Sequence, residues 1–347
     1  MGEAMDGKFW AVLALAGALP SLCLAQDDGF YKGRQLTFVV ASTAGGGYDS
    51  YARIVARHIG RHIPGEPAAI VTNMTGAGGH LAGRYITGVA PRDGTVIALV
   101  LPGTVTGALY VDKAKLQYDP GRLVHLGSAN SETDLCSVRG DAGVRTVADA
   151  QQREVALGAA AEGSASREQP AVLNNLIGTK FKVVSGYPGT REIMLAVEKG
   201  EVSGVCAMSE AAIKLQRPQW LADGFLRPLV QNSVTGSAAL SAQGVPRAVD
   251  FARSAEDRQV MALIYSQQTF GRPFVVAPDV PPARVAILRR ALQETLLDPE
   301  VAAEAARMRL EINPVSGEEL QALVEKLYAA PAHIIARAAE ALIYRPF

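Results

Sequence analysis

The sequence predicts an α/β fold with mostly parallel sheets and a helical C-terminal region. Ten short apolar runs alternate with amphipathic helical patterns, and two of the strand-to-helix turns are rich in glycine. From Pro282 onward the pattern turns wholly helical. Strands that alternate with helices are joined by crossovers, and crossovers favour parallel pairing.

The strand-like runs are Leu36–Ala41, Ala69–Thr72, Thr95–Leu101, Val124–Ala129, Leu135–Arg139, Glu154–Gly158, Lys180–Ser185, Val202–Met208, Leu226–Gln231 and Pro273–Ala277. Between them, Asp49 to Ile63 sets Ile54, Val55, Ile59 and Ile63 on one helical face and Arg53, Arg57 and Arg61 on another. That arginine stripe reads as a wet face. Further helices are expected over His80–Val89, Arg167–Leu176, Thr190–Lys199 and Glu256–Ser266, with Thr190 as a cap. The last third reads as Pro282–Leu297, Pro299–Arg309 and Ser316–Leu342, interrupted at Pro331. Pro282 and Pro299 suit a first helical turn, and Ser316 with Glu319 makes a capping box.

The glycine-rich turns are the main chemical signal. Ser42 to Asp49 reads S-T-A-G-G-G-Y-D, and Met74 to His80 reads M-T-G-A-G-G-H. A strand that ends in glycines and opens a helix presents unpaired backbone N–H groups at the positive end of that helix, which attracts anions. Candidate ligand contacts are therefore Ala44, Gly45, Gly46, Gly47, Tyr48 and Asp49 on the first turn, and Gly76, Ala77, Gly78 and Gly79 on the second. Asp49 also reads as a helix cap, and Tyr48 either walls the ligand or simply packs. Two later turns repeat the geometry and add Gly163, Ser164, Tyr187, Pro188 and Gly189.

Composition narrows the function. Lys+Arg and Asp+Glu are both 34 in 347 residues, and aromatics are 6%. That balance argues against a nucleic-acid binder. G-x-G-x-x-G fails after Gly45 and Gly76, where Ser50 and Leu81 fill the sixth position, and no G-K-[ST] or G-x-S-x-G occurs. His58 and His62 are spaced for a metal pair but lack an adjacent acidic or cysteine partner, so a solvated face is the better reading and no metal is expected.

At the N-terminus, Lys8 precedes the apolar stretch Phe9–Leu19, and small residues lead to a cleavage site after Ala25. This reads as a signal peptide over residues 1–25, with Met5 as an alternative start and Cys23 as a poor lipoprotein site, the alternative being a buried N-terminal helix. Its removal leaves Cys136 and Cys206. In an oxidising compartment the pair suggests one disulfide, the alternative being two buried cysteines acting as small hydrophobes.

The run F-V-V-A-S-T-A-G-G-G-Y-D, followed by V-T-N-M-T-G-A-G-G and A-P-R-D-G-T-V-I-A-L, resembles the extracytoplasmic solute receptors of tripartite tricarboxylate transporters, the TctC-like or Bug proteins. Val172–Ile177, G-T-K-F-K-V-V-S-G-Y-P-G-T and V-E-K-G-E-V-S-G-V are similar to the second domain of that family. The resemblance covers Leu36 to Met208 well and the remainder loosely. It implies a two-lobed, type II-like periplasmic binding fold, with lobe 1 over 27–127 and 246–347 and lobe 2 over 128–245. It further implies capture of a small carboxylate in the periplasm for membrane permease subunits, by a monomer without cofactor or catalysis. The alternatives are an exported α/β hydrolase acting on a carboxylate, which needs a histidine near Ser164 or Ser166, and a receptor for a membrane signalling partner.

Overall fold

All ten strand-like runs form strands, and the chain sorts them into two sheets. The structure is a computed structural model and describes residues 29–110, 113–161 and 164–346. The expected signal peptide and Gly163 lie outside the described residues. No described helix is long and apolar enough to cross a membrane.

The chain begins with β1 (Gln35–Val40), α1 (Gly47–His58), β2 (Ala68–Asn73), α2 (His80–Gly88), β3 (Val96–Leu99), α3 (Pro102–Tyr110), α4 (Lys113–Leu116) and β4 (Val124–Ser128). It then passes to β5 (Asp134–Arg139), α5 (Val147–Gln152), β6 (Val155–Ala159), α6 (Ala165–Ile177), β7 (Phe181–Ser185), α7 (Thr190–Lys199), β8 (Gly204–Ser209), α8 (Glu210–Gln216), β9 (Leu226–Asn232) and α9 (Ala238–Ala242). The return comprises α10 (Ala255–Tyr265), β10 (Pro273–Val276), α11 (Pro282–Leu297), α12 (Pro299–Arg307), β11 (Val315–Ser316), α13 (Gly317–Tyr328) and α14 (Ala332–Ala341).

The first sheet has the order β11-β4-β10-β3-β1-β2, and the second β7-β6-β8-β5-β9. Both are mixed, which corrects the expectation of mostly parallel sheets. β1 runs parallel to β2 and β3, whereas β10 is antiparallel to β3 and β4 and β11 is antiparallel to β4. In the second sheet β6 is parallel to β7 and β8, and β5 is antiparallel to β8 and β9. Helical crossovers dictate direction only for the strands they join. β10 re-enters the first sheet after the whole excursion through the second, so its direction follows from the return path.

Central strands are apolar throughout because helices cover both faces. All four residues of β3 are buried, and Phe38 meets Phe274 edge-on across the sheet at 6.2 Å. α10 and α14 pack on each other and both touch α6, so part of the C-terminal return lies against a helix of the second sheet. Ser316 and Glu319 form the capping box, at 3.2 and 3.0 Å. Thr190 is the first helical residue of α7 and Gly189 holds the cap position, contrary to expectation.

The arginine stripe, which runs from α1 into the turn beyond it, is tied down by ion pairs, Arg53 to Asp49 of the same helix. Arg57 and His58 meet Glu304, while Arg61 bonds Asp298 at 2.5 Å and Glu300 at 2.6 Å, so this face docks on α12. His62 faces Glu294 and Asp298. Among the described residues, no group of three or more His, Cys, Asp or Glu is placed to hold a metal ion.

Candidate functional site

A cavity of about 480 Å³ opens between elements of the two sheets. Tyr48 of α1, His80 of α2 and Thr106 of α3 line one side, and Asp134 at the start of β5 with Glu168 and Gln169 of α6 line the other. Gln268 and Arg272, on the segment returning to β10, complete it.

Arg272 is fixed before any ligand arrives. Its own N–H donates to Ser128 Oγ at 2.9 Å, and its Nη1 donates to the Gly271 carbonyl at 2.6 Å. Nη2 pairs with Glu132 at 3.1 Å, and Nε has no partner. The guanidinium carbon sits 4.3 Å from the Tyr48 ring centroid and 5.3 Å from that of Tyr51, two cation–π contacts that orient the fork. Burial pushes the hydroxyls of both tyrosines up to about 12, so they stay neutral donors.

Asp134 lines the same cavity, near enough to Arg272 for the two charges to interact. Its Oδ2 accepts from Gln169 at 2.8 Å and from Gln268 at 2.9 Å. Burial pushes its carboxyl up to about 6, Glu132 adds to the shift, and the two amides and Arg272 oppose it. Burial likewise raises Glu168. Tyr118 donates to the Thr104 carbonyl at 2.9 Å, so His80 Nδ1, 2.8 Å from the same hydroxyl, is the donor of that pair. Burial, then Arg84, lowers the His80 pKa, and the neutral ring keeps a lone pair on Nε2.

The structure brings together few of the residues singled out in the sequence. Among the candidates that can be described, Tyr48 alone lines the cavity. It both packs on Arg272 and forms the wall. Gly45 donates its N–H to Asp49 at 2.8 Å and Gly46 donates to Thr43 at 3.3 Å, so two of the three glycine amides are spent within the loop. The first-turn amides of α1, from Gly47 to Asp49, have no intrahelical acceptor, and a Cβ on Gly47 would lie 3.8 Å from Arg272 Nη2. Ala44 is exposed beside them.

Asp49 is a structural tie between the two glycine-rich loops and does not line the cavity. It is 2% exposed and also accepts from Arg53 at 2.8 Å and from Asn73 at 2.9 Å. Asn73 precedes the second glycine turn, so this carboxylate joins the two loops. In that second turn Gly76, Ala77 and Gly78 are exposed while Gly79 is buried, and His80 is the residue that reaches the cavity. A Cβ on Gly79 would approach Thr104 Oγ1 at 2.8 Å, and its φ of +92° itself favours glycine.

Ser164 holds the cap position of α6, and its neighbour Ala165 lines the cavity. Tyr187, Pro188 and Gly189 lead into α7 away from it, where Tyr187 packs against the apolar core under that helix. The Ser164 and Ser166 hydroxyls lie 3.2 Å apart, Ser166 accepts the Ala160 amide, and no histidine bonds either among the described residues.

Sequence reasoning missed Arg272, Asp134, Gln169, Gln268 and all of α3. Arg272 stands alone in G-R-P-F with no motif around it. The α3 sequence P-G-T-V-T-G-A-L-Y lacks amphipathic contrast, and Pro102 at a first helical position was its one readable mark. Away from the cavity, Cys136 and Cys206 are register partners on β5 and β8 and are joined in a disulfide, with Cα atoms 4.0 Å apart.

No family model matches the sequence. A UPF0065 protein from the TAR-I ttuE-ttuC' intergenic region of Agrobacterium vitis is 30% identical over 210 residues. That match spans 58% of this chain and 58% of the relative's length. A TctC solute binding protein from Polaromonas, solved with no ligand, superposes with a TM-score of 0.68 at 20% identity, covering 88% of this chain and 99% of that one. The fold is the two-lobed solute-binding fold. MatC from Rhodopseudomonas palustris, solved with bound malate, gives a TM-score of 0.57 at 19% identity over 89% of this chain and 99% of its own. The resemblance read from the glycine-rich turns agrees with all three.

Proposed function

We propose that this chain is a periplasmic solute-binding protein that captures a small carboxylate and delivers it to permease subunits of a tripartite tricarboxylate-type transporter. The observation that carries the reading is Arg272, held rigid by Tyr48, Tyr51 and Ser128 beside the open amides of α1. A pre-oriented guanidinium next to a helix N-terminus suits a carboxylate. The likeness to the malate-bound MatC fold supports the same class of solute.

Micromolar affinity needs about −8 kcal/mol, and association costs at least about 4 kcal/mol. Charge-assisted bonds contribute roughly 1.5–3 kcal/mol each, so about four to eight donors are required. Arg272 and the α1 amides supply part of that set, and the α6 side of the cavity must supply the rest. Binding therefore includes closure of lobe 1 (27–127 and 246–347) on lobe 2 (128–245). Against the hydrolase alternative, no histidine bonds Ser164 or Ser166 among the described residues. Calorimetry with small mono-, di- and tricarboxylates tests the reading, together with X-ray scattering at saturation. Micromolar binding with a smaller radius of gyration is expected. No binding by any carboxylate would overturn it.

A further inference from the structure

We infer that the solute carries a cationic nitrogen as well as a carboxylate, as an amino acid does. The inference rests on the carboxylate reading of the same cavity and goes on to name the solute class.

The charges lining the cavity do not balance for a plain carboxylic acid. Arg272 is the one arginine or lysine on its wall among the described residues, and Glu132 already pairs with it at 3.1 Å. What remains is negative or accepting. Both bonds to Asp134 fall on Oδ2, which leaves Oδ1 unbonded. Glu168 lines the same side and forms no ion pair among the described residues. His80 contributes a lone pair on Nε2. Tyr265, 1% exposed and lining the same cavity, has a hydroxyl with no partner among the described residues.

One carboxylate of a solute is accommodated at Arg272 and the α1 amides. A second carboxylate would face Asp134 and Glu168 with no cation between them, and like charges in a partly dry cavity repel strongly. An ammonium group in that place is attracted to both and donates to Asp134 Oδ1. The cavity thus has a cationic pole at Arg272 and an anionic pole at Asp134 and Glu168, which matches a zwitterion laid across it.

The test is calorimetry on the mature chain with matched pairs that differ by one amino group: succinate and L-aspartate, glutarate and L-glutamate, adipate and 2-aminoadipate, butyrate and 4-aminobutyrate. The amino member of at least one pair should bind at least about tenfold more tightly than its partner. If the unsubstituted acid binds as tightly in every pair that binds, the inference is overturned while the carboxylate reading stands. If no probe binds, both fall. Asp134→Asn, which keeps an acceptor for Gln169 and Gln268, should bring the preference to within about threefold, and Glu168→Gln should reduce it independently. A folded Asp134→Asn and a folded Glu168→Gln that each keep the full preference would also overturn the inference.

Discussion

Tyr48 and Arg272 form one surface: the guanidinium carbon of Arg272 stands 4.3 Å above the Tyr48 ring centroid. One comes from the first glycine-rich turn and the other from the segment that leads back into β10. Their stacking brings a positive charge to the loop that the sequence marks as an anion cradle. It also explains why that loop needs few free amides of its own.

Asp49 makes stability depend on acid. The Arg53 bond, then the Gly45 and Asn73 amides, hold its carboxyl down from 3.8 to about 2 against the opposing effect of burial. A depressed pKa gives stability that is complete above the unfolded value and is lost as pH falls through the folded one. The contribution is about 2 kcal/mol. Asp49→Asn should lose about that much at neutral pH and flatten the stability profile between about pH 4 and about pH 2, measured by urea unfolding. A variant as stable as the parent at neutral pH would refute the tie.

The two glycine turns should respond differently to an added methyl group. Gly79 has φ +92° and a Cβ there would meet Thr104 at 2.8 Å, so Gly79→Ala should cost roughly 2 kcal/mol or more. Gly46 has φ −79° and its Cβ would meet the Thr43 carbonyl at 3.3 Å, so Gly46→Ala should change unfolding by well under about 1 kcal/mol. Equal losses in denaturant melts would contradict this.

The disulfide joins residues 70 apart, and the chain-entropy estimate of its contribution is about 4 kcal/mol. Thiol titration of denatured, unreduced protein lacking residues 1–25 should find no free thiol. Reduction should lower the denaturant midpoint without changing the fold. Two titratable thiols would rule the bridge out.

Affinity for an ammonium-bearing carboxylate should rise with pH through the Asp134 transition near 6. Ionisation of Asp134 adds a negative charge beside Glu132 and Glu168, which attracts the ammonium and repels a second carboxylate. Calorimetry at about pH 5 and about pH 7 should therefore show opposite trends for L-glutamate and glutarate. Parallel trends would place the titrating group elsewhere.

Local pattern carried the fold and only part of the site. Every strand-like run became a strand because β3, β1 and β6 are apolar enough to read without context. Strand direction was not legible, since β10 and β11 pair through a long return that no local pattern encodes. α3 was missed because T-V-T-G-A-L has no polar face. The glycine turns marked the right loop, but hydrogen bonding spends Gly45 and Gly46 internally and buries Asp49. Arg272 and Asp134 become a site only when β10 and β5 are brought together, which is a tertiary fact.

The most direct test is calorimetric affinity for the tightest-binding small carboxylate in the parent and in Arg272→Gln, with Tyr48→Phe as a control that keeps the ring. Loss of a charge-assisted contact should weaken binding by roughly 10- to 150-fold in Arg272→Gln and by less than about threefold in Tyr48→Phe. A folded Arg272→Gln protein that binds as tightly as the parent would contradict the account.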